Sequence, residues 1–186
     1  FLDLVDHPAQ VNELIEVMEA RLDEQFQLAL ESDTEVIWQP DNVTSDMTPP
    51  SYFRKYCLPI YQKRGVACQE AGKVYAVHMD GRLAAIKQLI AQAPINVIES
   101  LSLSEMAGDV PVEETPLCWP GKAICPNFPA SLAEHAPAEI AAYIEKLKAS
   151  FAGRPFMIQI SEDIPISTYE KVLPVLCRSM APVPVP

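Results

Sequence analysis

Basic clusters and long apolar runs are both missing from this sequence of 186 residues, which carries 14 lysines and arginines against 25 acidic residues. The formal net charge is −11, whereas nucleic-acid binding needs clustered Lys and Arg to neutralise phosphates. We therefore predict no nucleic-acid partner. No apolar run approaches the roughly 20 residues of a membrane-spanning helix, and the first residues lack the basic and apolar parts of a signal peptide. We predict no membrane association either.

Motifs that would identify several common enzyme classes are also absent. The six glycines follow no pattern, which excludes the dinucleotide-binding and P-loop fingerprints, and there is no G-x-S-x-G nucleophile elbow. The five cysteines form no C-x2-C pair, and the interval from Cys118 to Cys125 is too wide for a zinc knuckle. We expect them to be mostly reduced, buried thiols of a cytoplasmic protein.

The N-terminal part of the sequence predicts one long amphipathic helix. Apolar residues recur at helical spacing from Val11 to Ala29. Asp6 and Pro8 stand in front of them, where a helix cap and a first-turn proline belong. This helix should end near Ser32.

Helices and short apolar strands then alternate along the rest of the chain. A second helix opens at Thr48 and should be kinked by Pro59; further helices are predicted over 83–93, within 104–117, over 137–151 and around Leu173. The five strands are EVIWQPDN, KVYAVHMDG, INVIES, KAICPNFP and PFMIQISEDIP. Because these runs are continuously apolar, they predict an α/β protein whose parallel sheet is covered on both faces by helices. The ending APVPVP, residues 181–186, predicts an extended tail.

Polar residues stand at the predicted carboxyl end of every strand. They are Asp41 and Asn42, His78 and Asp80, Glu99, Asn127, and Ser161 with Glu162 and Asp163. Right-handed crossovers bring the carboxyl ends of parallel strands to one side of a sheet, where α/β proteins gather functional groups. We therefore expect these side chains to converge on one pocket. Taken singly, each is also explained as a loop residue or a helix cap.

His78 and Asp80 are the most informative of these residues. Two positions apart just past a strand, they can point to one side and offer zinc a nitrogen and an oxygen ligand, with Glu162 or Glu99 as the third. Alternatively, Asp80 orients His78 as a general acid–base group. The third possibility is that His78 has no functional role and is an uncharged histidine bonded to the backbone.

Four stretches, in this order, resemble the C-terminal portion of the uroporphyrinogen decarboxylase superfamily, which includes the methylcobamide:coenzyme M and related corrinoid methyltransferases. They are DNVTSDMTPPSYFRKYCLPIY, GKVYAVHMDGRL, INVIESLSLSEMAGDV and FMIQISEDIP. The most specific part is a PxxFxxYxLPxY helix followed by a strand that ends in HxDG. The resemblance covers about residues 1–180.

The resemblance implies a (β/α)8 TIM barrel with its site at the carboxyl ends of the strands. Five βα units can be counted, so the chain corresponds to about the last five of eight, and the first three are expected before Phe1. In an isolated part of such a barrel, two sheet edges and some apolar surface should be uncovered.

The methyltransferase branch of this superfamily holds zinc with a His-x-Cys pair after one strand and a cysteine after the last strand. His78 matches the histidine, Asp80 stands in place of the first cysteine, and Glu162 or Asp163 lies near the second. This departure replaces soft thiolates by hard oxygen ligands. The implied reaction is zinc-dependent methyl transfer from a methylated corrinoid to a thiol or similar acceptor. The corrinoid-binding D-x-H-x-x-G pattern is absent, so a partner protein should carry the corrinoid.

Methyl transfer is our leading hypothesis, with three groups of site residues. The catalytic residues are His78, Asp80 and Asp41; the metal ligands are His78, Asp80 and Glu162; the substrate-binding residues are Asn42, Glu99, Asn127 and Ser161. One alternative is cofactor-free decarboxylation of uroporphyrinogen or another aromatic acid, which is weakly disfavoured because Arg82 is the one arginine next to a candidate site. Another is a non-catalytic tetrapyrrole-binding module. A homodimer is compatible with each.

Overall fold

A four-stranded parallel sheet lies at the centre of the computed structural model, which describes residues 2–104, 106–160 and 164–180. Its strands are β1 (Val36–Gln39), β2 (Val74–His78), β3 (Val97–Leu101) and β4 (Ala123–Pro126), in the order β1-β2-β3-β4. Each neighbouring pair is parallel, which confirms the α/β architecture for these strands. The predicted site residues Ser161 and Glu162, the neighbouring Asp163 and the predicted tail 181–186 lie outside the described residues.

The segment 155–159, predicted as a fifth strand, runs beside β4 without forming a regular strand. Two isolated parallel bridges join it to the sheet region, Ile124 with Phe156 and Asn127 with Gln159. Pro126 and Pro155 lack the backbone N–H that a continuous ladder requires at those positions. The prediction of a fifth regular strand is therefore wrong for the described part of this segment, although the segment follows the expected direction.

Helices connect the strands in the predicted alternation. In chain order they are α1 (Leu2–Asp6), α2 (Pro8–Glu31), α3 (Pro50–Tyr52), α4 (Leu58–Glu70), α5 (Lys87–Gln92), α6 (Thr115–Cys118), α7 (Pro137–Ser150) and α8 (Tyr169–Met180). Short 3-10 turns occupy Ala84–Ile86, Ala130–Glu134 and Ile166–Thr168. Every described helix is either too short or too polar to cross a lipid bilayer.

The helix α2 confirms the first predicted helix except at its start. Pro8 lies in its first turn as predicted, but the cap residue is His7, which makes no side-chain cap bond. Asp6 instead ends α1. The His7 backbone N–H donates to the Asp3 carbonyl at 2.7 Å, and this bond closes a helical turn that extends past Asp6. The prediction that Asp6 caps α2 is therefore wrong.

Pro59 lies at the start of α4 rather than inside one continuous α-helix. Between α3 and α4 the chain forms a π-helical turn over Phe53–Cys57, and the Leu58 N–H donates to the Phe53 carbonyl. A proline has no N–H and its ring displaces the carbonyl four residues back. The wider π turn is one of the known ways to accommodate such an interruption.

The helices pack on one face of the sheet, and the opposite face is largely open. Apolar residues of α4, α5 and α7 share one core with the helix-covered face, whose side chains are Ile37, Gln39, Tyr75 and Val77. The open face carries Val36, Trp38, Val74, Ala76, His78 and Glu99 and borders a mainly apolar groove of about 370 Å³. Val36 is 49% exposed and Trp38 is 52% exposed.

Coverage of both faces by helices is therefore a wrong prediction for the described residues. Strands that follow one another in sequential order, joined by crossovers of the same hand, place their helices on one side. Coverage of both sides needs a reversal of strand order, as in doubly wound sheets. The sequential order is compatible with part of a barrel, and barrel closure stays a prediction.

Candidate functional site

His78 is the last residue of β2 and lies directly beside Glu99 of β3 on the open face. Its Nδ1 is 2.6 Å from Glu99 Oε2, and its Nε2 is 3.5 Å from Asp80 Oδ2. An ionised carboxylate accepts hydrogen bonds but cannot donate them, so a neutral His78 bonded to Glu99 carries its proton on Nδ1. Nε2 is then the nitrogen that can accept a proton.

Trp38 of β1 completes this arrangement, and the sequence analysis did not identify it. Its indole N–H donates to the same Glu99 Oε2 at 2.7 Å. The Trp38 ring also meets the His78 ring edge-on, with centroids 6.0 Å apart and planes at 87°. We call Trp38, His78, Asp80 and Glu99 the Trp38 network.

The backbone after Glu99 has an unusual conformation. Ser100 has a φ of 59°, although it is not glycine, and the register between β3 and β4 shifts between Ile98 and Leu101. Bulges re-aim side chains, and non-glycine residues in the left-handed region concentrate at functional sites. Glu99, at 7% exposure, therefore owes its position partly to an irregular stretch of β3.

The glycine of the HxDG motif allows the loop after β1 to approach β2. A Cβ at Gly81 would lie 2.2 Å from Thr44 Cβ, closer than side chains approach. The Ser45 N–H donates to the Arg82 carbonyl at 2.7 Å, and the Arg82 N–H donates to Thr44 Oγ1 at 3.1 Å. These contacts fix the backbone that carries Asp80.

Asp109, in the AGDV stretch, anchors the same turn from the other side. Its Oδ1 accepts the backbone N–H groups of Leu83 and Ala84 at 2.7 and 2.8 Å. Arg82 Nε lies 3.6 Å from Asp109 and 4.0 Å from Asp46. Asp109 thus has a structural role here, and the Arg82 charge already faces two carboxylates.

Asp41 belongs to a different network from His78. Its Oδ2 accepts the Tyr61 hydroxyl at 2.8 Å and the Gln39 side-chain N–H at 2.6 Å. Asp41 and Asn42 line a cavity of about 520 Å³ between α2, α4 and the end of β1. Of the polar residues expected to lie together at the strand ends, His78, Asp80 and Glu99 do so. Asp41 does not join them. Its predicted catalytic role, like the substrate-binding role of Asn42, stays a prediction.

A buried arginine organises the network around Asp41. Arg64, at 5% exposure, donates to Gln39 Oε1 at 2.9 Å and to Glu19 Oε2 at 3.1 Å. The Tyr75 hydroxyl donates to the same Gln39 oxygen. We call this set the Arg64 network: Glu19, Gln39, Asp41, Tyr61, Arg64 and Tyr75.

Burial controls the protonation of this second network. It raises the pKa of the Tyr61 and Tyr75 hydroxyls, and the Asp41 charge adds to the effect at both. Burial also raises the pKa of Glu19, with the Arg64 charge acting in the opposite direction. The two phenols therefore remain neutral hydrogen-bond donors, which suits a structural role.

Asn127, another predicted substrate-binding residue, follows β4 and is 1% exposed. Its backbone N–H donates to the Leu101 carbonyl at 2.9 Å, and it forms one of the bridges to the 155–159 segment. The structure therefore ties Asn127 into the end of the sheet. Its role toward a substrate stays a prediction.

The described residues supply an incomplete set of metal ligands. Within residues 2–104, 106–160 and 164–180, no three His, Cys, Asp or Glu side chains gather in a way that would hold a metal ion. His78 and Asp80 offer two donors, and Glu99 is bonded to the other ring nitrogen. The third predicted ligand, Glu162, is outside these ranges, so the described residues do not by themselves fit zinc.

Comparison with known proteins gives a likeness in fold. No known family profile matches this chain, and no curated protein matches it in sequence. Among solved structures it is similar to a methyltransferase from Methanosarcina mazei, with a TM-score of 0.60 and 16% sequence identity. The similarity covers 82% of this chain and 44% of that one. The two proteins thus share a fold over most of this chain, which spans less than half of the other.

Proposed function

We propose that this chain is part of a methyltransferase of the uroporphyrinogen decarboxylase superfamily, corresponding to about the last five units of a (β/α)8 barrel. In this proposal His78 accepts the proton of the methyl acceptor. One observation carries it: Glu99 holds Nδ1 at 2.6 Å, while Nε2 faces the partly exposed Asp80. The fold shared with a methyltransferase supports the same reaction class.

The reaction requires that an acceptor lose a proton and gain a methyl group. With a thiol acceptor, His78 Nε2 takes the S–H proton and the sulfur attacks the methyl carbon of a methylated corrinoid. A carbon–sulfur bond forms while the bond to the donor breaks, and its electron pair stays with the donor. Asp80 is placed to accept the new Nε2–H, and the proton then leaves to solvent.

A zinc-assisted form of the reaction is a second candidate, with His78, Asp80 and Glu162 as ligands. It is favoured by Glu99, because metal-binding histidines usually donate their other ring N–H to a carboxylate. Zinc would lower the pKa of a bound thiol and so supply the thiolate. Proton transfer to His78 and the methyl transfer that follows do not require zinc.

Decarboxylation of a polycarboxylate has less support from the described residues. Arg82, the arginine next to the site, already lies near Asp46 and Asp109. Its charge is therefore partly neutralised before any substrate carboxylate arrives. Uroporphyrinogen turnover is nevertheless a useful second assay for the same protein.

The test is methyl transfer from methylcobalamin to a thiol by the protein that contains this chain, with a corrinoid-carrying partner protein added if free methylcobalamin does not react. His78→Gln should lower kcat about 10²- to 10⁴-fold, the usual contribution of general acid–base catalysis. His135→Gln is the matched control, because the His135 side chain is 50% exposed and pairs only with Glu139 in the salt bridges of the described residues. Equal activity of the two variants would contradict the proposal.

Metal analysis and chelation distinguish the zinc-assisted reaction from the reaction in which His78 acts as a base without metal. If zinc takes part, the purified protein holds about one zinc per chain, and chelation abolishes transfer until zinc is restored. If His78 acts without metal, transfer persists in chelator, and only the His78 substitution removes it. Uroporphyrinogen decarboxylation in chelator, with no methyl transfer, would favour the alternative reaction.

A further inference from the structure

The Glu99 carboxylate on β3 is held by two donors, one on the neighbouring strand β2 and one on the next strand beyond it, β1. One oxygen, Oε2, accepts both the Trp38 indole N–H at 2.7 Å and His78 Nδ1 at 2.6 Å. We infer that Trp38 is a positioning residue for His78, acting through Glu99. Its kinetic effect rests on the proposed function, but its effect on the His78 ring does not.

A single donor would leave the carboxylate poorly fixed. The terminal torsion of a glutamate side chain is broad, so a carboxylate bonded only to His78 could rotate about its end. Trp38 provides a second bond from β1, which lies on the far side of β2 from Glu99. Its edge-on ring also contacts the imidazole. Together these contacts fix the Nδ1–H tautomer and the direction of Nε2.

The partner of the Trp38 indole N–H distinguishes this residue from a tryptophan used only for packing. Trp119, which is 1% exposed in the core, donates to a backbone carbonyl, that of Lys87, at 3.0 Å. Trp38 instead donates to a side-chain carboxylate that also bonds to His78. The Trp38 contact is therefore coupled to the imidazole.

The charged and titratable groups around His78 come from three elements. Glu99 faces it from β3, and Asp80 faces it from the turn after β2. Cys125 of β4 is close enough to Glu99 to feel its charge, and burial together with that charge raises the pKa of the thiol to about 11. Cys125 is therefore neutral near pH 7, and Glu99 and Asp80 are the charges that act on the imidazole.

The test compares Trp38→Phe with Val36→Ala in the intact protein. Phenylalanine keeps a flat ring but loses the N–H, whereas Val36→Ala removes apolar surface two residues earlier on the same face without touching Glu99. Trp38→Phe should lower kcat about 10- to 100-fold, the range expected for a hydrogen bond to a charged group, and leave KM within about twofold. Val36→Ala should leave both unchanged.

A second readout is independent of activity. A long-range ¹H–¹⁵N correlation spectrum shows which ring nitrogen of neutral His78 carries the proton. Trp38→Phe should weaken the preference for the Nδ1–H tautomer, whereas Val36→Ala should leave it unchanged. An unchanged His78 ring spectrum in Trp38→Phe, or a Trp38→Phe variant with wild-type kcat, would overturn the inference. A changed tautomer in Trp38→Phe together with no methyl transfer by the wild type would uphold the positioning role and reject the proposed function.

Discussion

The two polar networks of this protein lie on opposite faces of the same strands and differ in how completely they are enclosed. The Arg64 network on the helix-covered face is built around an arginine that is 5% exposed and phenols that are kept neutral by burial. The Trp38 network on the open face leaves Nε2 of His78 facing a carboxylate that is 41% exposed.

One strand supplies residues to both networks. Trp38 and Gln39 are adjacent in β1, and successive side chains of a strand point to opposite faces. Gln39 therefore joins Arg64 and Tyr75, while Trp38 reaches Glu99. The face of the sheet on which a polar side chain lies therefore separates two roles: the Arg64 network on the helix-covered face is structural, and the Trp38 network on the open face is chemical. Substitutions in the two networks test this separation.

Glu99→Gln should have the largest effect, and on activity rather than stability. The amide removes the negative charge that holds the Nδ1–H tautomer of His78, so kcat should fall about 10²- to 10⁴-fold. The free energy of unfolding should change by no more than about 1 kcal/mol. Steady-state kinetics and urea unfolding measure the two quantities. A large loss of stability with normal kcat in the folded fraction would place Glu99 in the structural group.

Arg64→Met should show the opposite pattern. Removing this buried charge leaves Glu19 without its cationic partner and removes one of the two donors to Gln39 Oε1, at a cost of about 3 kcal/mol in the free energy of unfolding. Arg21→Met is the matched control, because Arg21 is exposed and pairs with the exposed Glu24 one turn along α2, so its loss should cost at most about 1 kcal/mol. Urea unfolding of both variants measures the difference. Similar costs would mean that the Arg64 network is not structural.

Gly81→Ala should have an intermediate effect on the turn that carries Asp80. The added Cβ meets Thr44 Cβ at 2.2 Å, and overpacking of this kind costs about 1–3 kcal/mol. The penalty should be smaller in a Thr44→Gly background, which a double-mutant cycle in urea measures. An additive cycle would show that the two residues do not collide.

The smallest effects concern the cysteines, all five of which are free thiols. Burial raises the pKa of Cys57 to about 12, with the Asp41 charge adding to it. At pH 8 its reactive thiolate fraction is about 10⁻⁴, rising about tenfold for each pH unit. Iodoacetamide should therefore label the exposed Cys177 first and Cys57 slowly, with equal labelling in urea. Rapid labelling of Cys57 in the folded protein at pH 8 would contradict the enclosure of the helix-covered face.

Much of the fold could be predicted from local patterns. The four strands are short apolar runs, and α2 and α7 show clear helical spacing, so local sequence was sufficient. The bridged segment after Pro155 was harder, because its irregular pairing depends on prolines in two neighbouring segments. The helices cover a single face of the sheet because of the strand order, and the periodicity of apolar residues does not specify that order.

The candidate site was predicted in part. His78, Asp80 and Glu99 were identified from their positions at strand ends, but Glu99 bonds to the imidazole instead of joining it as a ligand. The role of Trp38 depends on the register of three strands, and no local motif encodes that register. The position of Asp41 depends in the same way on Tyr61, which follows 20 residues later.

The position of the proton on the His78 ring decides whether Glu99 holds this imidazole as a base. A long-range ¹H–¹⁵N correlation spectrum distinguishes protonated from bare ring nitrogens, and His78→Gln identifies its signals among the three histidines. We expect neutral His78 to carry its proton on Nδ1 and to leave Nε2 bare. A neutral ring protonated on Nε2 would contradict this expectation, because Glu99 would then not hold the imidazole as a base.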